Sequence, residues 1–254
     1  MRIERKVGII IAGLGSLLLA VSGAAPALAG SGPTAGFAHA TGIRFAGTLN
    51  TTNTGFGGWV FGAKKATSVT AEFKVPTLKC TATTSGVGPS AVLLTGSTSS
   101  PNVSIASVLL VCSNSAALAI PAVTVDGTET NGTQTVHAGD LMKATVTTTA
   151  TKTTATIADL TKGHTFTFTK SGKGAASFEE LIVDTKVGQG ATVFPVANFG
   201  KISYSNGAVS GKALGSVKPS VAVNMVNSKK VVQILTGPLS GAKKNAFTTT
   251  FKHS

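Results

Sequence analysis

The sequence predicts an all-β protein, an antiparallel sandwich or barrel, on three observations. Charged residues make up only 12% of the 254-residue chain, against about a quarter in ordinary soluble domains. Thr, Ser, Ala, Gly and Val dominate instead, which excludes a helical bundle or coiled coil and favours strands. Short segments with a two-residue apolar period recur at close spacing, with no helix-period run between them.

Taken in order, residues 1–29 read as a secretory signal peptide. Arg2, Arg5 and Lys6 form a basic start, 7–21 an apolar run, and Ala27-Leu28-Ala29 a small-x-small site with cleavage expected after Ala29. The run is shorter than the ~20 apolar residues of a spanning helix. Residues 30–54, rich in Gly, Ala and Thr, read as an extended lead-in. In 68–76, Val69, Ala71, Phe73 and Val75 alternate with Thr70, Glu72 and Lys74, and Pro76 closes the strand. The same period recurs over 142–146, 154–160, 165–168 and 178–184, with turn signals at 161–164 and 171–174, and again over 222–226, 230–235 and 247–251. Nothing reads as a linker, so 55–254 is expected to be one domain and the protein a monomer.

Removing residues 1–29, with three Lys/Arg and one acid, leaves 225 residues and a net charge of +11. No later stretch is long and apolar enough to span a bilayer. The basic pairs Lys64-Lys65, Lys229-Lys230 and Lys243-Lys244 have no Arg clusters or interleaved aromatics, so a specific nucleic-acid groove is not expected. Adhesion to an anionic envelope surface suits them better. Cys80 and Cys112, the only cysteines, are expected to pair in an exported chain. That bridge would constrain the unfolded chain by about 3–4 kcal/mol.

Eight acids remain after residue 29: Glu72, Asp126, Glu129, Asp140, Asp159, Glu179, Glu180 and Asp184. Asp126-Gly127 and Gly139-Asp140 read as turns, and Glu72 and Asp159 as polar-face residues. Alternation over 177–184 places Glu180 with Phe178 and Ile182. A carboxyl desolvated there would have a raised pKa, suited to general acid or base work at mildly acidic pH. If that face meets solvent instead, Glu179 and Glu180 are ordinary surface charges. His39, His137, His164 and His253 lack metal-pair spacing, and GxSxG, GxGxxG and Walker patterns are absent, so neither metal nor cofactor is expected.

Several blocks, in order, carry a family resemblance. Gly58-Trp59-Val60, then 68–76 and Cys80, resemble the opening of the glutamic peptidases, the eqolisins of peptidase family G1. Glu180-Leu181-Ile182-Val183-Asp184 resembles that family's Glu-Trp-Ile-Val-Glu block, and 194–204 a following strand; Gly139-Asp140 sits where members carry Gly-Asp. The resemblance spans about residues 55–254. It implies a concanavalin-like, jelly-roll sandwich of two antiparallel sheets with a substrate groove across the concave one. It also implies a dyad: a Glu that activates water and a Gln whose amide steadies the oxyanion.

Glu180 matches the Glu of that dyad. Counting back from Cys112 puts Ile105 at the Gln position, and the first Gln in the chain is Gln134. Val92 replaces a family Trp, and 117–125 lacks the usual Trp, Tyr and groove Glu. Two functions are therefore in view. One is a secreted, catalytically impaired eqolisin-like protein that binds a peptide, protein or envelope ligand. The other is an acid endopeptidase in which Glu180 works with Asn102 or backbone N–H groups as oxyanion donor.

Overall fold

Alternating side chains become strands wherever one face is buried and the other is not. The computed structural model describes residues 52–62, 66–81, 83–97, 100–171, 177–189 and 192–254, with backbone alone at 95–97, 100–102, 177–184, 189 and 192. The signal segment, residues 30–51 of the lead-in, and the Lys64-Lys65 pair lie outside these residues.

The strands are β1 (Thr52–Asn53), β2 (Phe56–Phe61), β3 (Ser68–Lys74), β4 (Ser85–Ser97), β5 (Ser100–Ser113), β6 (Ala116–Val125), β7 (Thr128–Asn131), β8 (Leu141–Thr148), β9 (Lys152–Asp159), β10 (His164–Ser171), β11 (Ser177–Thr185), β12 (Gly188–Gln189), β13 (Thr192–Val193), β14 (Lys201–Val209), β15 (Lys212–Ala213), β16 (Ser220–Val226), β17 (Val232–Thr236) and β18 (Phe247–Phe251). They form two packed sheets. The first runs β10-β9-β8-β3-β14-β18-β17-β16 and the second β16-β2-β11-β4-β5-β6-β7. Strand β16 belongs to both: Ser220 to Val223 pair with β2, and Met225 and Val226 with β17. Pairing is antiparallel along this whole path. The expected two-sheet β-sandwich is the observed architecture.

The main core lies between the sheets. Phe73, Tyr204 and Phe247 from the first sheet share it with Phe61, Leu93, Val108 and Leu110 from the second, all buried. Tyr204 stacks on Phe247 at 4.5 Å and 10° and meets Phe73 at 5.7 Å. Trp59 stacks on Phe61, and its Nε1 donates to the Gly237 carbonyl at 3.0 Å. The two aromatics that the sequence offered singly, Trp59 and Tyr204, thus belong to this core. The Cys80–Cys112 disulfide is formed and ties the segment after β3 to β5.

The structure sharpens the sequence reading at several points. Strands β4, β5 and β6 run for 13, 14 and 10 residues, where alternation gave little signal. Ala91 to Leu94 are all fully buried, because both faces of β4 are covered, and a strand covered on both sides reads as an apolar run. Asp159 was expected on a polar face but is buried. Its Oδ1 accepts hydrogen bonds from the Thr161 and Lys162 amides, and Lys162 Nζ lies 3.5 Å from Oδ2, so it organises a turn. His164 opens β10 instead of closing that turn.

Candidate functional site

The second sheet has an outer face, turned away from the core, and its backbone register orders that face into rows. One row runs Val221, Val60, Leu181, Val92, Ile105, Thr124, Glu129 across β16, β2, β11, β4, β5, β6 and β7. Two residues along each strand, a parallel row runs Val223, Gly58, Val183, Ser90, Ser107, Ala122, Asn131. The row between them is Ala222, Trp59, Ile182, Ala91, Ala106, Val123, Thr130, of which Trp59, Ala91, Ala106 and Val123 join the core.

The outer rows change character from one end to the other. Phe56, Val60, Val92, Leu94, Ile105 and Val223 make one buried apolar cluster with Val103 and Val221. Leu109, Ala122 and Val187 make a second with Val111, Ile120 and Phe194. Val187 packs so tightly on β4 that a Cβ at Gly86 would lie 1.8 Å from one of its methyl groups. Beside these clusters lie Ser90, Ser107 and Thr124, all buried, and then Glu129 and Asn131 on β7. Ser107 Oγ donates to the Ala122 carbonyl at 3.3 Å.

Ile105, at the position the resemblance gives to Gln, is 1% exposed and wrapped by Val60, Val92 and Leu94. A hydrocarbon side chain there offers no donor to an oxyanion. Glu180 pairs by backbone register with Phe61 on β2 and Leu93 on β4, and its side chain lies outside the described atoms, as does that of Asn102. By backbone register its row is the neighbour of the Ile105 row. Glu179, opposite Leu94, shares the parity of Ile105. A register shift between Ser177 and Glu179 interrupts the strict alternation that the sequence suggested for Phe178.

Gly139-Asp140, the other family-like block, forms a structural clasp. Lys162 Nζ donates to the Thr135 carbonyl at 3.1 Å and to Asp140 Oδ2, and meets His137 Nδ1 at 2.9 Å. Asp140 Oδ2 also accepts from the His137 amide at 2.7 Å. Burial opposes ionisation of Asp140, but the hydrogen bonds from Lys162 and the His137 amide outweigh it and hold the carboxyl below its ordinary value. Among the described residues no group of three or more His, Cys, Asp or Glu is placed to hold a metal ion.

The residue that sequence reasoning passed over is Glu129. Asp126-Gly127, with φ of 48° and 75°, makes a tight hairpin turn between β6 and β7. That turn fixes Glu129 opposite Thr124 and Asn131 opposite Ala122. Burial pushes the Glu129 carboxyl up from 4.5 to about 7, and its Oε2 is enclosed without a hydrogen-bond partner. The signal was present as an Asp-Gly turn followed by the alternating Thr-Glu-Thr-Asn, but four residues are too few to show which face is buried.

The comparisons with known proteins agree with this architecture. No curated protein matches the chain in sequence. Among solved structures, the crystal structure of scytalido-glutamic peptidase with a transition state analog inhibitor aligns with a TM-score of 0.63 at 14% identity, over 78% of this chain and 98% of that one. An eqolisin-family peptidase in complex with the tripeptide Ala-Ile-His gives 0.60 at 13% identity, over 78% and 98%. Aspergilloglutamic peptidase from Aspergillus niger gives 0.52 at 20% identity, over 67% and 99%. At these identities the likeness is one of fold. The model of the Peptidase A4 family matches residues 54–246, so the chain belongs to that family, the eqolisin family of the resemblance.

Proposed function

We propose that this is a secreted, catalytically impaired member of the peptidase A4 family that binds a peptide or protein ligand on the outer face of its second sheet, at or near an anionic envelope surface. One observation carries the reading: Ile105, where the resemblance places the amide donor, is enclosed by hydrocarbon. A missing oxyanion donor typically costs ~10²–10³ in turnover, and fold alone does not fix activity when site residues differ. The disulfide suits an oxidising compartment. The net charge of +11 after residue 29 suits adhesion to an anionic surface.

The test is cleavage of an acid-unfolded protein substrate between pH 2 and 6 by the wild-type protein and by Glu180→Gln and Glu179→Gln. The expected result is no cleavage by the wild type above the level of either variant. Acid proteolysis that disappears in Glu180→Gln would establish the glutamic endopeptidase reading instead, with Asn102 or backbone N–H groups as the oxyanion donor.

A further inference from the structure

We propose that Glu129, with Thr124 and Asn131 beside it, is a recognition subsite for a cationic side chain, the ammonium of Lys or the guanidinium of Arg, in a peptide ligand lying on the outer face of the second sheet. This rests on the peptide-binding reading above and specifies what the ligand presents at the β7 end of that face.

Three observations converge on it. Glu129 ends the row that runs through the buried Ile105 and Thr124 and is itself only half-buried, so it stands at the open margin of the face where a ligand would lie. Its Oε2 is enclosed and lacks a hydrogen-bond donor, a costly condition for a carboxyl unless a partner arrives. The ion pairs among the described residues all join Asp140 or Asp159 to Lys162 or His137. Glu129 thus stands apart from cations in a chain with 22 Lys and Arg against 9 acids. A carboxylate left unpaired amid such an excess suits a cation supplied from outside.

The surroundings match the rest of such a side chain. Val103 and Ile120, partly buried on the same face, leave apolar surface for an aliphatic stem, which long cationic side chains use while their heads find a charge. Thr124, opposite Glu129, and Asn131, two residues along β7, add a hydroxyl and an amide. Strand β7 ends the sheet path, so the subsite lies at its margin.

The experiment is an NMR titration at pH 8 with three blocked peptides: acetyl-Ala-Lys-Ala-amide, acetyl-Ala-Arg-Ala-amide and the uncharged acetyl-Ala-norleucine-Ala-amide. Backbone amide shifts of Thr124, Glu129 and Asn131 are followed in the wild type, Glu129→Gln and Glu129→Asp. The expected result is that the Lys and Arg peptides bind at least tenfold more tightly than the norleucine peptide. That preference disappears in Glu129→Gln and survives in part in Glu129→Asp. Equal binding of charged and uncharged peptides on the outer face, or a preference unchanged in Glu129→Gln, overturns the subsite and leaves the peptide-binding reading standing. Outer-face amides that move with none of the three peptides overturn both.

Discussion

Replacing Glu129 by Gln should make the protein more stable at neutral and alkaline pH and leave it unchanged in acid. Burial raises the carboxyl from 4.5 to about 7. At 1.36 kcal/mol per tenfold, that is roughly 3 kcal/mol between the protonated and ionised forms. Glu129 keeps some contact with solvent, and screening reduces the figure to about 1–2 kcal/mol. The sign follows from proton linkage. Below about pH 4.5 the group is protonated in both folded and unfolded chains, so it contributes no penalty. Between 4.5 and 7 the unfolded chain releases the proton while the folded one keeps it, and stability falls as pH rises. Above about 7 the group is ionised in both states and the penalty is complete.

Gln keeps the shape and carries no charge, so the difference between variant and wild type should be near zero at pH 4 and about 1–2 kcal/mol in favour of the variant at pH 8. The residues in register beside Glu129, Thr124 and Ile105, do not titrate, so they leave the difference unobscured. The assay is urea unfolding from pH 4 to 8, comparing midpoints at constant slope. A difference that does not vary with pH, or a variant less stable at pH 8, would refute the reasoning.

Four further outcomes are expected. Asp140→Asn should lower Tm by roughly 2–4 °C at pH 7. Because Asp140 titrates below its ordinary value, its contribution is present above about pH 4 and lost as pH falls through the depressed pKa, so melting curves of the two proteins should converge in acid. Cys112→Ser, or reduction of the disulfide, should cost about 3 kcal/mol in chemical unfolding. Phe247→Ala, which removes the ring stacked on Tyr204, should cost about 3–5 kcal/mol and broaden the aromatic NMR signals of the core. Ile105→Gln should cost about 2 kcal/mol in the same unfolding assay, because a buried amide would meet only hydrocarbon there.

The fold was legible where strands are half-covered. The alternation over 68–74 matches β3, whose residues run intermediate and buried in turn, and Phe247–Phe251 was read to its observed bounds. It was illegible as strand in β4 to β6, where stretches such as Ala91 to Leu94 are buried on both faces and do not alternate. The site divides in the same way. Counting residues from Cys112 picked out position 105, which the structure shows to be a hydrocarbon side chain enclosed by others. The solitary carboxyl at Glu129 could not be picked out, since its isolation depends on a four-residue strand and on which neighbours fold over it. Asp159 failed for a related reason: a period-two pattern reports a face but not whether a turn closes over its end.

Strand β16 has a consequence for how the molecule meets copies of itself. Two separate sheets would expose four open margins, each a template for pairing with another chain. By passing from one sheet into the other, β16 joins them into a single hydrogen-bonded path whose ends are β10 and β7. Neither end invites extension. β7 has only four residues, and β10 is largely solvent-facing, with Thr, His and Lys along it. A Thr- and Val-rich chain with few charges is a composition prone to cross-chain sheet formation, and the shared strand removes half of the seams through which that could begin.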